Sequence, residues 1–212
     1  IDAADDHGGL LRSERPDVAV EPDWYLGAGC AARAATVLVT SAHEAEQVAT
    51  HLSADRVVVV PDAAPEVPWQ VGPPTGSGQV LVRGDFAQAA HLAGARWLMC
   101  EVLPLLPEAF SLELSGPAGD EVRRLAHRRP GVHVLGPPDD LLARYHFADV
   151  AVAAQPVRGA GRQAVLEAFR HKRAVVATKA AVDGLQTAEG IHVRTAEDPD
   201  AFAAAIMGLA RA

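Results

Sequence analysis

At 212 residues, the chain is long enough to bury a full core, and its formal net charge is −8. Its 19 Lys and Arg are scattered among 27 Asp and Glu rather than gathered into a stripe, which argues against nucleic acid as a partner. Although 49% of the residues are apolar, no run approaches the roughly 20 needed to span a bilayer.

In chain order, the sequence begins at Ile1 with the acidic string IDAADD and no basic or apolar targeting segment, so the chain is expected to be a fragment. Asp2, Asp5, Asp6 and His7 either contribute to a site or form a solvated terminus. Cys30 and Cys100 lie far apart without metal-type spacing, and are expected to be buried thiols in a reducing, cytoplasmic compartment.

Two short β-branched runs, Thr36–Thr40 and Arg56–Val60, flank a helical stretch over Ala42–Leu52. Ser41 is placed to cap that helix, with Glu44 three residues on for a capping box. From Pro61 to Gly78 the composition shifts to Pro, Gly and small polar residues, the signature of an exposed interdomain linker. The boundary is set there, giving domains 1–72 and 73–212.

Beyond the linker, candidate strands recur at Gln79–Val82, Ser111–Leu114, Val132–Leu135, Val150–Ala153, Ala174–Ala177 and Ile191–Val193. Helical spacing fills the intervals: Leu92, Ala95, Met99 and Val102; Val122 and Leu125; Leu141, Leu142 and Tyr145; Val165, Leu166 and Phe169; Phe202, Ile206 and Leu209. Alternating strands and helices predict an α/β fold with a doubly wound parallel sheet. Such sheets bind ligands at the carboxyl ends of their strands, here the loops after Val82, Leu114, Leu135 and Ala154.

The last of these loops reads QPVRGAGRQAVLEAF. Gly159 and Gly161 permit close backbone approach, and a helix starting near Arg162 offers N–H groups and a partial positive charge to a diphosphate. Arg158 and Arg162 stand beside it with full charges; the plain alternative is a glycine turn with solvated arginines. Glu167, two turns on, is either a partner for ribose hydroxyls or a solvated helix residue. No His-x-x-x-His or His-Glu-x-x-His pattern supports a metal site. There is no Gly-x-Ser-x-Gly elbow, and a single glycine follows Gln79–Val82 where a dinucleotide fingerprint would carry three, so hydrolase and dehydrogenase readings lose support.

The stretch LEAFRHKRAVVATKAAVDGL resembles glycosyltransferase family 4, in which Leu-Glu-Ala is followed by a short basic or glycine turn, an apolar strand ending Ala-Thr, and then Gly-Leu. Upstream, VVVVPDAAP resembles that family's strand and Pro-Asn-Gly turn at the domain junction, and VLVRGDF resembles the strand and glycine that open the donor domain. GVHVLGPPDDLLARYHFADVAVAAQPVR resembles its strand, Gly, short helix and strand ending in Pro, so the likeness runs in order over roughly residues 30–212.

The resemblance implies a GT-B fold of Rossmann-like doubly wound sheets, with a truncated first domain and a nearly complete donor-binding domain. It implies sugar transfer from a nucleoside diphosphate sugar to an acceptor hydroxyl in polysaccharide or glycoconjugate synthesis, retaining, without metal or other cofactor. In that reading Glu167 binds the ribose, Gly84 lets its loop approach the diphosphate, and Gly136, followed by Pro137, lies beside the base. Gly159 stands where many relatives hold a sugar-binding glutamate, and Ala164 where they hold a lysine, so phosphate binding would rest on Arg158, Arg162 and the helix end. Pro156, Arg158 and Arg162 resemble a subgroup with this entry; Thr178 and Lys179 are candidate lining residues. Base, sugar and acceptor stay open, as does peripheral membrane contact through a domain outside this chain. The alternatives are a non-catalytic binding or assembly domain of the same fold and a GT-B sugar-nucleotide epimerase.

Overall fold

A computed structural model describes residues 33–50, 52–64, 72–137 and 141–211. The acidic terminus with Asp2, Asp5, Asp6 and His7, and Cys30, lie outside the described residues.

The first described unit is β1 (Val37–Val39), α1 (Ala42–Ala49) and β2 (Val57–Val59), with the strands parallel and Val37 opposite Val57. Parallel pairing requires a crossover, which α1 supplies. Val37 and Val39 are buried beneath it, whereas Leu38, Val58 and Val60 on and beside the strands are exposed. The expected capping box is half formed. The Ser41 hydroxyl accepts from the Glu44 N–H at 3.2 Å, but the Glu44 carboxylate reaches back to the N–H and hydroxyl of Thr40 instead of to the cap residue.

The predicted exposed linker is tied down at its described ends. Asp149, fully buried, accepts from Gly76 N–H at 2.8 Å and Gly78 N–H at 2.7 Å, fixing the chain's entry into the next strand.

The second unit holds β3 (Gln79–Arg83), α2 (Ala89–Trp97), β4 (Ser111–Ser115), α3 (Asp120–His127), β5 (Val132–Gly136) and α4 (Leu141–Phe147). It continues with β6 (Val150–Ala153), α5 (Arg162–Arg170), β7 (Ala174–Ala177), β8 (Arg194–Thr195) and α6 (Pro199–Leu209). Its strands form one parallel sheet in the order β5-β4-β3-β6-β7-β8.

Both faces are covered, which is why the strands read as continuous apolar runs instead of alternating ones. Val80, Val82, Val152 and Val176 face a core shared with Leu98, Met99, Val122, Phe202 and Ile206. Leu81, Ala151, Ala153, Val175 and Ala177 face the opposite core, with Tyr145, Val165 and Ala168. The second face is rich in alanine, so α5 settles close to the sheet. The last helix is capped by Asp198, whose carboxylate accepts from Ala201 N–H at 2.8 Å, and opens with Pro199.

Two local expectations need correction. Past Trp97 the helix widens into a π turn over Leu98–Val102, which brings Leu98, Met99 and Val102 all into the core. The predicted strand at Ile191–Val193 is displaced to Arg194–Thr195: Gly190 takes φ +75°, Ile191 and His192 form a turn, and Ile191 is 80% exposed. A β-branched run carries strand propensity, but without sheet neighbours it does not become one.

Candidate active site

The strand order changes direction between β3 and β6, so the crevice at their carboxyl ends is where such a sheet receives a ligand. Gly84 follows β3, and a Cβ there would lie 2.3 Å from His91 Nδ1. That ring nitrogen is 3.3 Å from Gln155 Nε2, just beyond β6, in a residue 98% buried. Only glycine at 84 lets α2 bring His91 to this edge.

Gln155 leads into the glycine turn. Gly159 has φ +77°, in the left-handed region that favours glycine, and its N–H donates to the Ala180 carbonyl at 2.8 Å. A Cβ at Gly161 would lie 2.5 Å from that of Ala181, so the turn is pressed against the loop after β7. No side chain caps the amino end of α5 at Gly161. That helix end therefore keeps the N–H groups and partial charge expected of an anion site. Thr178 is structural: its hydroxyl accepts from Ala181 N–H and donates to the Gln155 carbonyl at 2.9 Å, stitching the β6 and β7 loops together. Lys179 is exposed, and its backbone N–H donates to Glu197 at 2.6 Å.

The two arginines are not the solvated charges that the sequence leaves room for. Arg162 is 97% buried; its Nη2 lies 2.5 Å from Glu44 Oε1 and its Nε 3.2 Å from Asp62 Oδ2, both on the first unit. Burial by itself raises the Glu44 carboxyl, but hydrogen bonds from Thr40 and the Arg162 guanidinium outweigh it, and the net displacement is downward. Arg162 Nη1 is also buried and makes no hydrogen bond. Arg158 is exposed and paired with Asp183 at 3.1 Å.

Glu167 is also engaged. Its Oε2 lies 3.2 Å from Nε of Arg83, the last residue of β3, and Arg83 Nη1 donates to the Ser115 carbonyl at the end of β4. Tyr145, wholly buried and stacked on His171 at 4.4 Å, sits beneath: burial first and the Glu167 carboxylate second push its phenol far up, so it stays protonated. Gly136 has φ +68°, and its carbonyl accepts from Gly116 N–H at 2.8 Å, beside a register shift between Leu114 and Ser115.

Gly136, Gly84 and Glu167 thus lie along one carboxyl edge, linked through Gly116, Ser115 and Arg83, with Gly159 and Gly161 beyond β6. Arg158 sits at the outer end on Asp183, and Arg162 is turned toward the first unit. Sequence reasoning missed Arg83, His91 and Gln155. The available signal was positional, since each lies on or just past a strand end at the switch point. Cys100, expected to be buried, is half-buried and accepts from Arg129 at 2.9 Å.

A doubly wound α/β sheet with a glycine turn, an uncapped helix end and a carboxylate along one edge defines a nucleotide-binding type of architecture. The chain belongs to the family of group 1 glycosyl transferases, whose sequence pattern matches residues 78–212. No curated protein matches it by sequence.

Among solved structures it is similar to a mutant of S. aureus TarM in complex with fondaparinux, α-GlcNAc-glycerol and UDP, with TM-score 0.73 at 12% identity over 90% of this chain and 39% of that one. It is similar to Anabaena HepE in complex with UDP and glucose, with TM-score 0.72 at 14% identity over 98% of this chain and 60% of that one. It is likewise similar to WaaG, a glycosyltransferase involved in lipopolysaccharide biosynthesis, with TM-score 0.69 at 16% identity over 100% of this chain and 65% of that one. At these identities the likeness shows the fold, which is of GT-B type. The chain spans less than two thirds of the length of each of these structures. No helix among the described residues is long and apolar enough to cross a membrane.

Proposed function

We propose that residues 73–212 form the donor-binding domain of a glycosyltransferase and that residues 1–72 form part of its acceptor-side domain. The reaction is transfer of a sugar from a nucleoside diphosphate sugar to an acceptor hydroxyl, with retention at the anomeric carbon and without a bound metal. The observation that carries this reading is Glu167, one face of its carboxylate against Arg83, on the helix that starts behind the Gly159–Gly161 turn at the switch point. UDP in the TarM and HepE structures supports a nucleoside diphosphate as the ligand class.

In this assignment Glu167 accepts from the ribose hydroxyls, Gly136 lies beside the base, and Gly84, Gly159, Gly161 and the amino end of α5 approach the diphosphate. As the bond from the anomeric carbon to the diphosphate breaks, the helix dipole and Arg158 stabilise the charge that develops on the leaving group. Arg162 joins them only on leaving Glu44 and Asp62; while it is held there, the helix end carries most of the work. Acceptor choice, any membrane contact and cytoplasmic residence belong to the whole protein and are part of the same proposal.

The test is calorimetric titration of the chain with uridine and guanosine diphosphates. Binding of one of them, weakened about thirtyfold by Glu167→Ala, is the expected result. A folded chain that binds neither, or unchanged binding in the variant, overturns the reading. The internal pairing of Arg158 and Arg162 favours a second reading, a nucleotide-binding domain without turnover. Nucleotide binding without sugar transfer in the full-length protein would establish it.

A further inference from the structure

Glutamate has three rotatable side-chain bonds, so a carboxylate meant to meet a sugar diol gains from being held before the ligand arrives. Here Glu167 is boxed on two sides. Arg83 meets Oε2 from the end of β3, and the Tyr145 hydroxyl lies against the carboxylate from the interior. Arg83 is itself anchored without Glu167, through Nη1 to the Ser115 carbonyl at 3.2 Å. Gly116 makes room for that reach, since a Cβ there would lie 3.1 Å from Arg83 Nη1 and would collide with the Gly84 carbonyl.

Arg83 Nε and Glu167 Oε2 are both shielded from solvent, and at 3.2 Å their alignment does not make a hydrogen bond. The contact is thus a Coulomb contact. Withdrawing two charges from water for such a contact returns little net stability. Its consequence is geometric: Oε2 is spoken for, and Oε1 is the oxygen left for a ligand. The guanidinium also offsets the carboxylate's repulsion of an anionic diphosphate nearby.

We propose that Arg83 is a positioning residue for nucleotide recognition: it holds Glu167 so that Oε1 faces the crevice and accepts from the ribose hydroxyls, an inference that rests on the ribose reading of Glu167. Arg83 touches no reacting atom and acts through the carboxylate alone.

The experiment compares the 212-residue chain with its Arg83→Met, Arg83→Lys, Glu167→Gln and Arg83→Met/Glu167→Gln variants. Uridine and guanosine diphosphates and their 2′-deoxy counterparts are the probes, titrated by calorimetry, with thermal melting to establish that each variant is folded. For whichever base binds, the unaltered chain is expected to prefer the ribo form by about tenfold. Arg83→Met should lower that affinity about tenfold and bring the ribo and deoxy forms within about twofold of each other, with Arg83→Lys recovering most of the loss. In the Glu167→Gln background the Arg83 change should have no further effect.

If Arg83→Met weakens both forms equally and keeps their ratio, Arg83 merely supports the sheet and the proposal falls. It falls also if Arg83→Met binds like the unaltered chain while Glu167→Gln does not. If Glu167→Gln itself leaves binding unchanged, the ribose reading fails first and takes the positioning role with it. Should Arg83→Met not fold, Arg83→Lys and Glu167→Gln still decide: a shift of the ribo-to-deoxy ratio in Arg83→Lys supports the role, and an unaltered ratio overturns it.

Discussion

The six-stranded sheet and the two-stranded one are built from the same kind of β-branched run, yet they stand on different footings. The larger sheet is covered on both faces, and its cores join strands to helices from every part of the second unit. The smaller one buries Val37 and Val39 beneath α1 and leaves Leu38 50%, Val58 43% and Val60 50% exposed. A pair of strands with one helix is marginal alone, and this pair is joined to its neighbour by the buried guanidinium of Arg162. Apolar runs of equal quality therefore differ in stability according to how many faces find cover.

The largest expected effect tests the covered sheet. Phe202, fully buried and edge-on to Trp97 at 5.1 Å, should cost about 4 kcal/mol when replaced by alanine, read as a shift in denaturant midpoint. Val37→Ala should cost about 2 kcal/mol and leave amide protection in β3 and β6 unchanged; equal loss across both sheets would erase the distinction.

Arg162→Met strands Glu44 and Asp62 without their cation, at a cost of about 3 kcal/mol. Hydrogen exchange should quicken in β1 and α1 while the larger sheet stays protected. Uniform quickening would mean that the two units unfold as one.

Ser41→Ala removes the cap of α1 and is expected to cost about 1 kcal/mol by thermal melting.

The smallest effect is the pH dependence from Glu44, whose folded carboxyl is depressed below its ordinary 4.5. A depressed folded value makes the unfolded chain the stronger proton binder. The contribution is therefore complete above about 4.5 and fades as pH falls through the folded value. Glu44→Gln should flatten that slope, and an unchanged slope would detach Glu44 from the link between the units.

Much of the larger sheet was legible because burial on both faces writes unbroken apolar runs, and five of its strands lie where those runs lie. Ile191–Val193 misled because propensity was read without sheet neighbours, and the chain pairs two residues later. In the site, the glycine turn and Glu167 stood out from local pattern and from the family resemblance. The Arg162–Glu44 contact spans 118 residues, and no local spacing announces a partner so distant. Arg83 was hidden by its ordinary place at a strand end, where an arginine reads as solvated until a carboxylate is found against it. The linker looked exposed by composition, and nothing near it in sequence pointed to Asp149 as the acceptor for its amides.

The π turn over Leu98–Val102 fixes how the chain counts its residues in this region. A wide turn holds one residue more than an α-helical one, and each residue advances a helix by about 100°. Deleting any one residue of the five would let the helix close normally, but it would rotate everything beyond by that angle relative to the sheet. Leu103 and Leu106, which pack against the core after Val102, would then swing off it before Pro107. The segment therefore tolerates substitution far better than it tolerates a change of length, and its five-residue count is as much a part of the fold as its side chains.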